Sequence, residues 1–103
     1  VKGVNFDNSG DNDGQIAGSQ IELDLGGLLN NRLGIIESDS TLNIRAANLD
    51  NQTGQLRALG AGGSTLFQIG NQFDNRSGRL EVASSDLTLN AASFLNANGS
   101  LLH

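Results

Sequence analysis

The sequence lacks several residue types altogether, and each absence narrows what the protein can be. It contains no cysteine, methionine, tryptophan, tyrosine or proline, and only four phenylalanines. Without cysteine there is neither a disulfide framework nor a thiolate metal site. Because proline removes a backbone hydrogen-bond donor, its absence favours continuous hydrogen-bonded strands.

Basic residues and long apolar runs are also scarce. Six Lys and Arg residues stand against eleven Asp and Glu residues, which gives a formal net charge of −5. A chain with this charge is repelled by phosphate backbones and anionic lipid heads, so we expect no nucleic-acid partner. No apolar run approaches the roughly 18 residues of a membrane span, and we expect no membrane insertion.

What the sequence does contain is a repeat. The triplet Gly-x-(Ile/Leu) begins at five positions, separated by 20, 20, 24 and 21 residues: Gly14, Gly34, Gly54, Gly78 and Gly99. An apolar residue and an Asx-Asn pair precede each glycine: Phe6-Asp7-Asn8, Leu29-Asn30-Asn31, Leu49-Asp50-Asn51, Phe73-Asp74-Asn75 and a fifth copy without its second Asn, Leu95-Asn96-Ala97. Four alternating apolar pairs follow: Ile21 and Leu23, Leu42 and Ile44, Phe67 and Ile69, Leu87 and Leu89. The chain is thus about five copies of one unit of ~20 residues.

Each part of this unit has a structural meaning. Apolar residues two positions apart face one side of a strand, while Asn and Gly supply turns, Gly by taking positive φ. Ordering ~20 residues costs roughly 30 kcal/mol, whereas burying the aliphatic side chains of one unit returns only about 10 kcal/mol, so a unit cannot fold alone. Stacked units pair at about 4.8 Å. The sequence therefore predicts an all-β parallel β-helix (solenoid) of about five coils, right-handed because parallel crossovers prefer that sense.

Stacking also predicts which side chains meet. Leu29, Leu49 and Phe73 are expected to lie on one another, and four asparagines are expected to form an amide ladder at the turn: Asn8, Asn31, Asn51 and Asn75. We expect one repeat segment over residues 1–103, with coils at approximately 4–27, 28–47, 48–71, 72–92 and 93–103. The surplus residues at 9–13 and 59–64 are interpreted as loops. Because the chain begins at Val1 in the middle of the pattern, we interpret it as part of a larger protein.

The repeat resembles that of a known family. Residues 49–58 (LDNQTGQLRA), 73–80 (FDNRSGRL) and 85–92 (SDLTLNAA) are similar to the repeats of filamentous haemagglutinins, which also build the stalks of contact-dependent growth inhibition toxins. The resemblance implies a right-handed β-helix in a virulence-associated exoprotein at the bacterial cell surface or secreted from it. It further implies export by an outer-membrane partner transporter (two-partner secretion) and a receptor on a host or neighbouring cell.

One acidic segment, residues 7–14, has the composition of a cation-binding loop. In a calcium loop of the EF-hand kind, Gly14 at the sixth position would place Ser9 at the first and Gln20 at the twelfth, where an acidic ligand is required. Both positions fail this pattern, so a solvated turn is the favoured interpretation. A calcium-stabilised β-roll stays open as the alternative, and we expect no metal or other cofactor.

Few residues in this sequence could support catalysis. The single histidine, His103, is the last residue, and without cysteine no common nucleophile–base pair can be assembled. Asp50 with Asp74, or Asp7 with Asp11, are the carboxylate pairs available for glycoside or polysaccharide cleavage, but repetition alone explains the first pair. We expect no enzyme. The leading hypothesis is a structural stalk that includes neighbouring repeats of the same chain, and the alternative is a receptor- or glycan-binding portion of such an exoprotein.

Overall fold

The computed structural model describes residues 2–9, 14–60, 64–83 and 86–102, and the regular elements in these ranges are β-strands. The ten strands are β1 Lys2–Gly3, β2 Phe6–Asp7, β3 Gln15–Leu25, β4 Leu28–Asn30, β5 Ile35–Asp50, β6 Gln55–Ala58, β7 Ser64–Asp74, β8 Arg79–Val82, β9 Asp86–Leu95 and β10 Ser100–Leu102. All of their pairings are parallel, and each joins one repeat unit to the next.

The strands stack on three faces, because the long strands bend from one face to the next. Face A is built from residues 15–18 of β3, residues 35–38 of β5, and then β6, β8 and β10. Face B is built from residues 20–24 of β3, 41–46 of β5, 64–69 of β7 and 86–91 of β9, with β1 at one end. Face C is built from β2, β4, residues 48–50 of β5, 72–74 of β7 and 93–95 of β9.

Alternate side chains of the three faces point inward and meet their equivalents in the neighbouring coils. On face C, Leu29, Leu49 and Phe73 pair in register, and none is more than 1% exposed, which confirms the predicted stack. The Phe73 ring also meets the rings of Phe67 and Phe94 edge to face, with centroids 5.5 and 5.1 Å apart. Such pairs add roughly 0.5–1.5 kcal/mol each beyond the burial of apolar area. A single apolar column therefore runs the length of the solenoid.

The solenoid makes about four turns rather than the predicted five. A coil consists of a strand on face C, then one on face A, then one on face B, and four such sets follow one another from β2 to residue 91 of β9. Before them β1 adds a short strand on face B only, and after them residues 93–95 and β10 add strands on faces C and A only. The all-β parallel β-helix is confirmed, and its right-handed sense stays a prediction from the crossover rule.

The alignment of the third alternating pair was wrong. Phe67, not Ile69, lies over Ile44, and the position over Leu42 is held by Thr65, which is 2% exposed. The reason is that each long face B strand has a third inward position, which Ile69 fills in β7. In β7 the first of the three inward positions holds the polar Thr65. The apolar pair of this unit therefore begins two residues later than the pairs of the other units.

The two predicted loops lie partly outside the described residues. The surplus at 59–64 falls between the end of β6 and the start of β7, and the Leu59 amide still donates to the Ser38 carbonyl oxygen at 2.8 Å. Residues 61–63 and 10–13 lie outside the described ranges, as do Ser84, Ser85, Val1 and His103.

Candidate functional site

The Asn-x-x-Gly segments form one edge of the solenoid, between faces C and A. In each of these turns the glycine amide donates to the carbonyl oxygen of the asparagine three residues earlier, at 2.9–3.0 Å. The four complete turns are Asn31–Gly34, Asn51–Gly54, Asn75–Gly78 and Asn96–Gly99. Because the same four-residue turn recurs in each coil, its side chains lie in rows along this edge.

Positive φ was predicted at the glycines, and that prediction was wrong. The left-handed residue is the one before each glycine, namely Leu33, Thr53, Ser77 and Asn98, with φ of 57–59°, and none of the described glycines has a positive φ. A left-handed conformation at the third residue is typical of a type II turn. It costs an L-residue roughly 1–2 kcal/mol, and Asn tolerates it best among these four.

The glycines are needed for space instead. A Cβ built on Gly54 would lie 2.6 Å from Asn51 Oδ1 and closer still to the carbonyl oxygen of Asn31 in the neighbouring coil. Gly34, Gly78 and Gly99 have the same surroundings in their own coils. The backbone at this position therefore packs directly against the asparagine side chain and the next turn, and only glycine fits.

The asparagines form the predicted ladder, and it is longer than predicted. Each Nδ2 donates to the Oδ1 one coil further on, at 2.7–2.8 Å, along the row Asn8, Asn31, Asn51, Asn75 and Asn96. The middle three of these residues are fully buried. A buried amide that satisfies its neighbours in this way stabilises the fold, whereas an unpaired one would destabilise it.

Asn96 belongs to the ladder because the last unit is shifted by one residue from its predicted alignment. Phe94 pairs with Phe73 and Leu95 with Asp74, so Asn96 is equivalent to Asn75. The residue lost from the fifth copy is therefore the first Asx, replaced by Leu95, and not the second Asn. The constant spacing of three residues between asparagine and glycine, as in Asn96–Gly99, was the sequence signal for this alignment.

The first Asx of each unit has a separate task. Its Oδ1 accepts a hydrogen bond from the backbone amide two residues later, at 2.9–3.1 Å, in Asp7, Asn30, Asp50 and Asp74. This is the Asx-turn, in which a side chain substitutes for a backbone acceptor. The two Asx positions thus have different roles. The first closes the local turn, and the second links adjacent coils.

Arginines line the outer surface, and the described ones other than Arg45 form ion pairs. Arg32 Nε lies 2.7 Å from Asp50 Oδ2 and Arg57 Nη1 lies 2.9 Å from Glu37 Oε2, and each of these pairs joins adjacent coils. Arg79 Nη2 lies 2.7 Å from Glu81 Oε2. Pairs this exposed contribute about 0–1 kcal/mol each.

Asp74 is the exception, because it is buried and its partner binds with two nitrogens. Arg76 donates from Nε and Nη2 to the two Asp74 oxygens at 3.0 and 2.7 Å. These charged hydrogen bonds hold the pKa of the Asp74 carboxyl below its usual value, and they raise the pKa of Arg76. These bonds hold the Asp74 carboxylate in the turn. In the equivalent position of the preceding coil, Asp50 accepts hydrogen bonds from Arg32 and Gln52.

The sequence offered carboxylate pairs and an acidic segment as candidate sites, and the structure describes only part of them. The carboxylates of Asp50 and Asp74 lie in equivalent positions of adjacent coils, and repetition accounts for both. Among the residues that the structure describes, no three His, Cys, Asp or Glu side chains gather as a metal site would require. Most of the acidic segment, including Asp11, lies outside these residues. The solvated turn therefore stays the prediction and the calcium-stabilised β-roll stays the alternative, which a rise in thermal stability in millimolar CaCl2 would favour. No helix within the described ranges is long and apolar enough to cross a membrane.

The comparisons with known proteins agree with this geometry. The family model of the haemagglutinin repeat matches residues 3–77 and, in a second and overlapping match, residues 61–103. No curated protein and no solved structure matches the chain. The two matches span the turns, the asparagine ladder and all three faces of the solenoid. The chain therefore belongs to the haemagglutinin repeat family.

Proposed function

We propose that this chain is a structural stalk segment of a large secreted bacterial surface adhesin or haemagglutinin. The observation that supports this function best is the continuous register of the stack, in which each coil binds the next through three strand ladders, the apolar column and one asparagine bond. Haemagglutinin repeats are structural, adhesin-type units and occur in secreted surface exoproteins. The chain accordingly acts as a spacer and not as an enzyme.

The physics of a solenoid suits this task. Stability is a sum over coils and the interfaces between nearest neighbours, so coils can be added without changing the fold. Each added coil lengthens the rod by about 4.8 Å. The three faces stabilise one another, because their inward side chains belong to one apolar core.

The finer parts of the proposal rest on the family. In this view the chain continues into neighbouring repeats and is exported by an outer-membrane partner transporter. It then holds an adhesive region, or the toxin of a contact-dependent growth inhibition system, away from the cell.

A coil-duplication experiment tests the spacer function. A second copy of residues 34–53 inserted after Thr53 repeats one full coil, turn included, and should lengthen the molecule by about 4.8 Å in small-angle X-ray scattering. The urea midpoint should also rise, because one more interface is added. Duplicating residues 34–43 alone is the matched control, since half a coil breaks the register and should destabilise the fold. A full-coil duplication that unfolds or keeps the original length would rule out an additive rod.

A second candidate, receptor or glycan binding, is favoured by one row on face B. Asp24, Arg45, Gln68 and Asn90 are exposed and pair in register, which places charged, amide and guanidinium groups in a line about 4.8 Å apart. Side chains of this kind hydrogen-bond sugar hydroxyls. Arg45 forms no ion pair with any described residue and is the one to replace.

Binding of the purified chain separates the two candidates. If face B is a binding site, the chain should bind host or neighbouring bacterial cells, or block their binding to the whole exoprotein, and Arg45→Ala should abolish this. Arg57→Ala on face A is the control, because it removes the same charge elsewhere. A chain that neither binds nor blocks leaves the stalk function alone.

A further inference from the structure

The third residue of each Asn-x-x-Gly turn has an exposed side chain. These residues are Leu33, Thr53, Ser77 and Asn98, the same four that have a left-handed backbone. The first three lie in turns that have a neighbouring turn on either side, so their exposure comes from the turn itself and not from their place in the stack. A further coil stacked beyond Asn98 would leave its side chain exposed in the same way.

Asn98 differs from the other three because it carries a carboxamide and precedes a glycine. Asn98 and Gly99 form the only Asn-Gly pair in the sequence. Within the described residues the Asn98 side chain forms no hydrogen bond, whereas each rung of the asparagine ladder is a hydrogen bond of 2.7–2.8 Å. Because Gly99 has no side chain, none obstructs the approach of the Asn98 carboxamide to the Gly99 backbone nitrogen.

We propose that Asn98 is a site of spontaneous deamidation, a reaction to which asparagine is prone among the thermolabile residues. The Gly99 backbone nitrogen attacks Asn98 Cγ and loses its proton to hydroxide or water, the bond from Cγ to Nδ2 breaks, and ammonia leaves. Water then opens the resulting five-membered succinimide. Its addition at Cγ gives aspartate, and its addition at the main-chain carbonyl carbon of residue 98 gives isoaspartate. One water molecule is consumed and one ammonia is released.

The isoaspartate product changes the turn, because its side-chain methylene becomes part of the main chain. The Gly99 amide donates to the Asn96 carbonyl oxygen at 2.9 Å, and the Ser100 amide donates to the Gly78 carbonyl oxygen at 3.0 Å. Gly99 is packed so closely that an added Cβ would overlap the Asn75 carbonyl oxygen and Asn96 Oδ1. A turn with an extra main-chain atom cannot keep these contacts. Isoaspartate therefore loosens this coil, whereas aspartate leaves it intact.

The fold determines which asparagines react. The hydrogen bond from Gly99 to Asn96 must open before the Gly99 nitrogen can attack, so the folded chain reacts more slowly than the unfolded chain. The ladder asparagines are protected further, because their carboxamides are bonded to the neighbouring coils and the middle three are fully buried. The inference goes beyond the stalk function and does not depend on it.

Peptide mapping by mass spectrometry tests the site. After incubation of the folded chain at mildly alkaline pH, the tryptic peptide that begins at Leu80 should show the mass gain of an NH2-to-OH exchange at Asn98, in two chromatographic forms. Asn51 and Asn75 should stay unmodified. Asn98→Ser, which introduces the residue found in the preceding turn, should remove the gain. A gain at the ladder asparagines first, or no gain at Asn98 while the unfolded chain reacts there, would overturn the proposal.

Two variants of one interior turn separate the effect of the fold from that of the sequence. Gln52→Gly creates an Asn-Gly pair at the buried Asn51, and Thr53→Asn creates one at the exposed third position of the same turn. In the folded chain, the asparagine introduced by Thr53→Asn should react at least about ten-fold faster than Asn51 in Gln52→Gly, and in urea the two rates should converge. Equal rates in the folded chain would contradict the protection assigned to the ladder.

Hydrogen exchange tests the effect on the coil. In the isoaspartate form, separated by chromatography, the backbone amides of Gly99 and Ser100 should exchange about ten-fold faster than in the unmodified chain. Asn98→Asp is the matched control, because it adds the same charge without the extra main-chain atom, and its exchange should equal that of the unmodified chain. Equal exchange in the isoaspartate form and in Asn98→Asp would overturn the loosening of the turn.

Discussion

Replacing Asn51 with alanine removes the central rung of the asparagine ladder, and its effect follows from the contacts. Asn51 accepts from Asn31 at 2.8 Å and donates to Asn75 Oδ1 at 2.7 Å and to the Arg79 carbonyl oxygen at 3.3 Å. Three net hydrogen bonds are worth about 1 kcal/mol each, and the Asn75 Oδ1 left without a donor adds a penalty of about 1–3 kcal/mol. Because such terms overlap, we expect a loss of about 4 kcal/mol in the free energy of unfolding.

Urea denaturation followed by circular dichroism measures this loss, with the slope of the transition as a check on two-state behaviour. Asn43→Ala is the matched control, because Asn43 lies on the outer side of β5, the strand that ends just before Asn51. Within the described residues, the Asn43 side chain forms no hydrogen bond. This substitution should change stability by less than about 0.5 kcal/mol. Asn96→Ala, which removes a single bond at the end of the ladder, should lose about 1 kcal/mol. A loss below about 1 kcal/mol for Asn51→Ala would refute the role given to the buried ladder.

Three further substitutions test other parts of the turn. Gly54→Ala places a methyl group 2.6 Å from Asn51 Oδ1, so urea denaturation should show a loss of about 3 kcal/mol or more. Gly70→Ala, whose Cβ would meet nothing nearer than 3.9 Å, should change stability by less than about 1 kcal/mol, and equal losses would contradict the steric argument. Thr53→Asn should raise stability by about 1 kcal/mol, since Asn tolerates the left-handed backbone that a β-branched residue resists, and an unchanged urea midpoint would argue against strain there. Asp74→Asn should remove an acid-sensitive contribution to stability. Because folding lowers the pKa of Asp74, that contribution is present above about pH 4, where the unfolded carboxyl is ionised, and is lost as the pH falls through the lower folded pKa. The stability difference between wild type and Asp74→Asn should therefore be constant above about pH 5 and shrink below pH 4, and a pH-independent difference would contradict the assignment.

The repeat was predictable because the features that produce it are sterically strict. Gly54 and its equivalents accept no side chain, and a buried Asn51 requires an asparagine above and below it. Residues under such constraints recur at fixed spacing, so the period, the parallel stacking and the ladder could be inferred from the sequence alone.

The features that could not be predicted from the sequence lie at positions where the structure tolerates several residue types. The third inward position of face B accepts the small Ala46 as readily as the large Ile69, so the side-chain size there varies and the position is hard to recognise in the sequence. Thr65 is buried in a row of aliphatic residues and displaced the predicted alignment of its unit. Leu33 and Thr53 occupy left-handed positions that neither residue favours, and the turn imposes them. At these positions, contacts with neighbouring coils decide which face a side chain lies on and which residue it pairs with, and the conformational preference of the residue itself does not.

The central claim is that inward side chains lie directly over their counterparts one coil away. Nuclear Overhauser effects between methyl groups measure this most directly in a chain with selectively labelled Ile and Leu. The account predicts strong cross-peaks between Ile36 and Leu56 and between Leu56 and Leu80, residues that are 20 and 24 positions apart and fully buried. Cross-peaks confined to residues of the same repeat unit would contradict it.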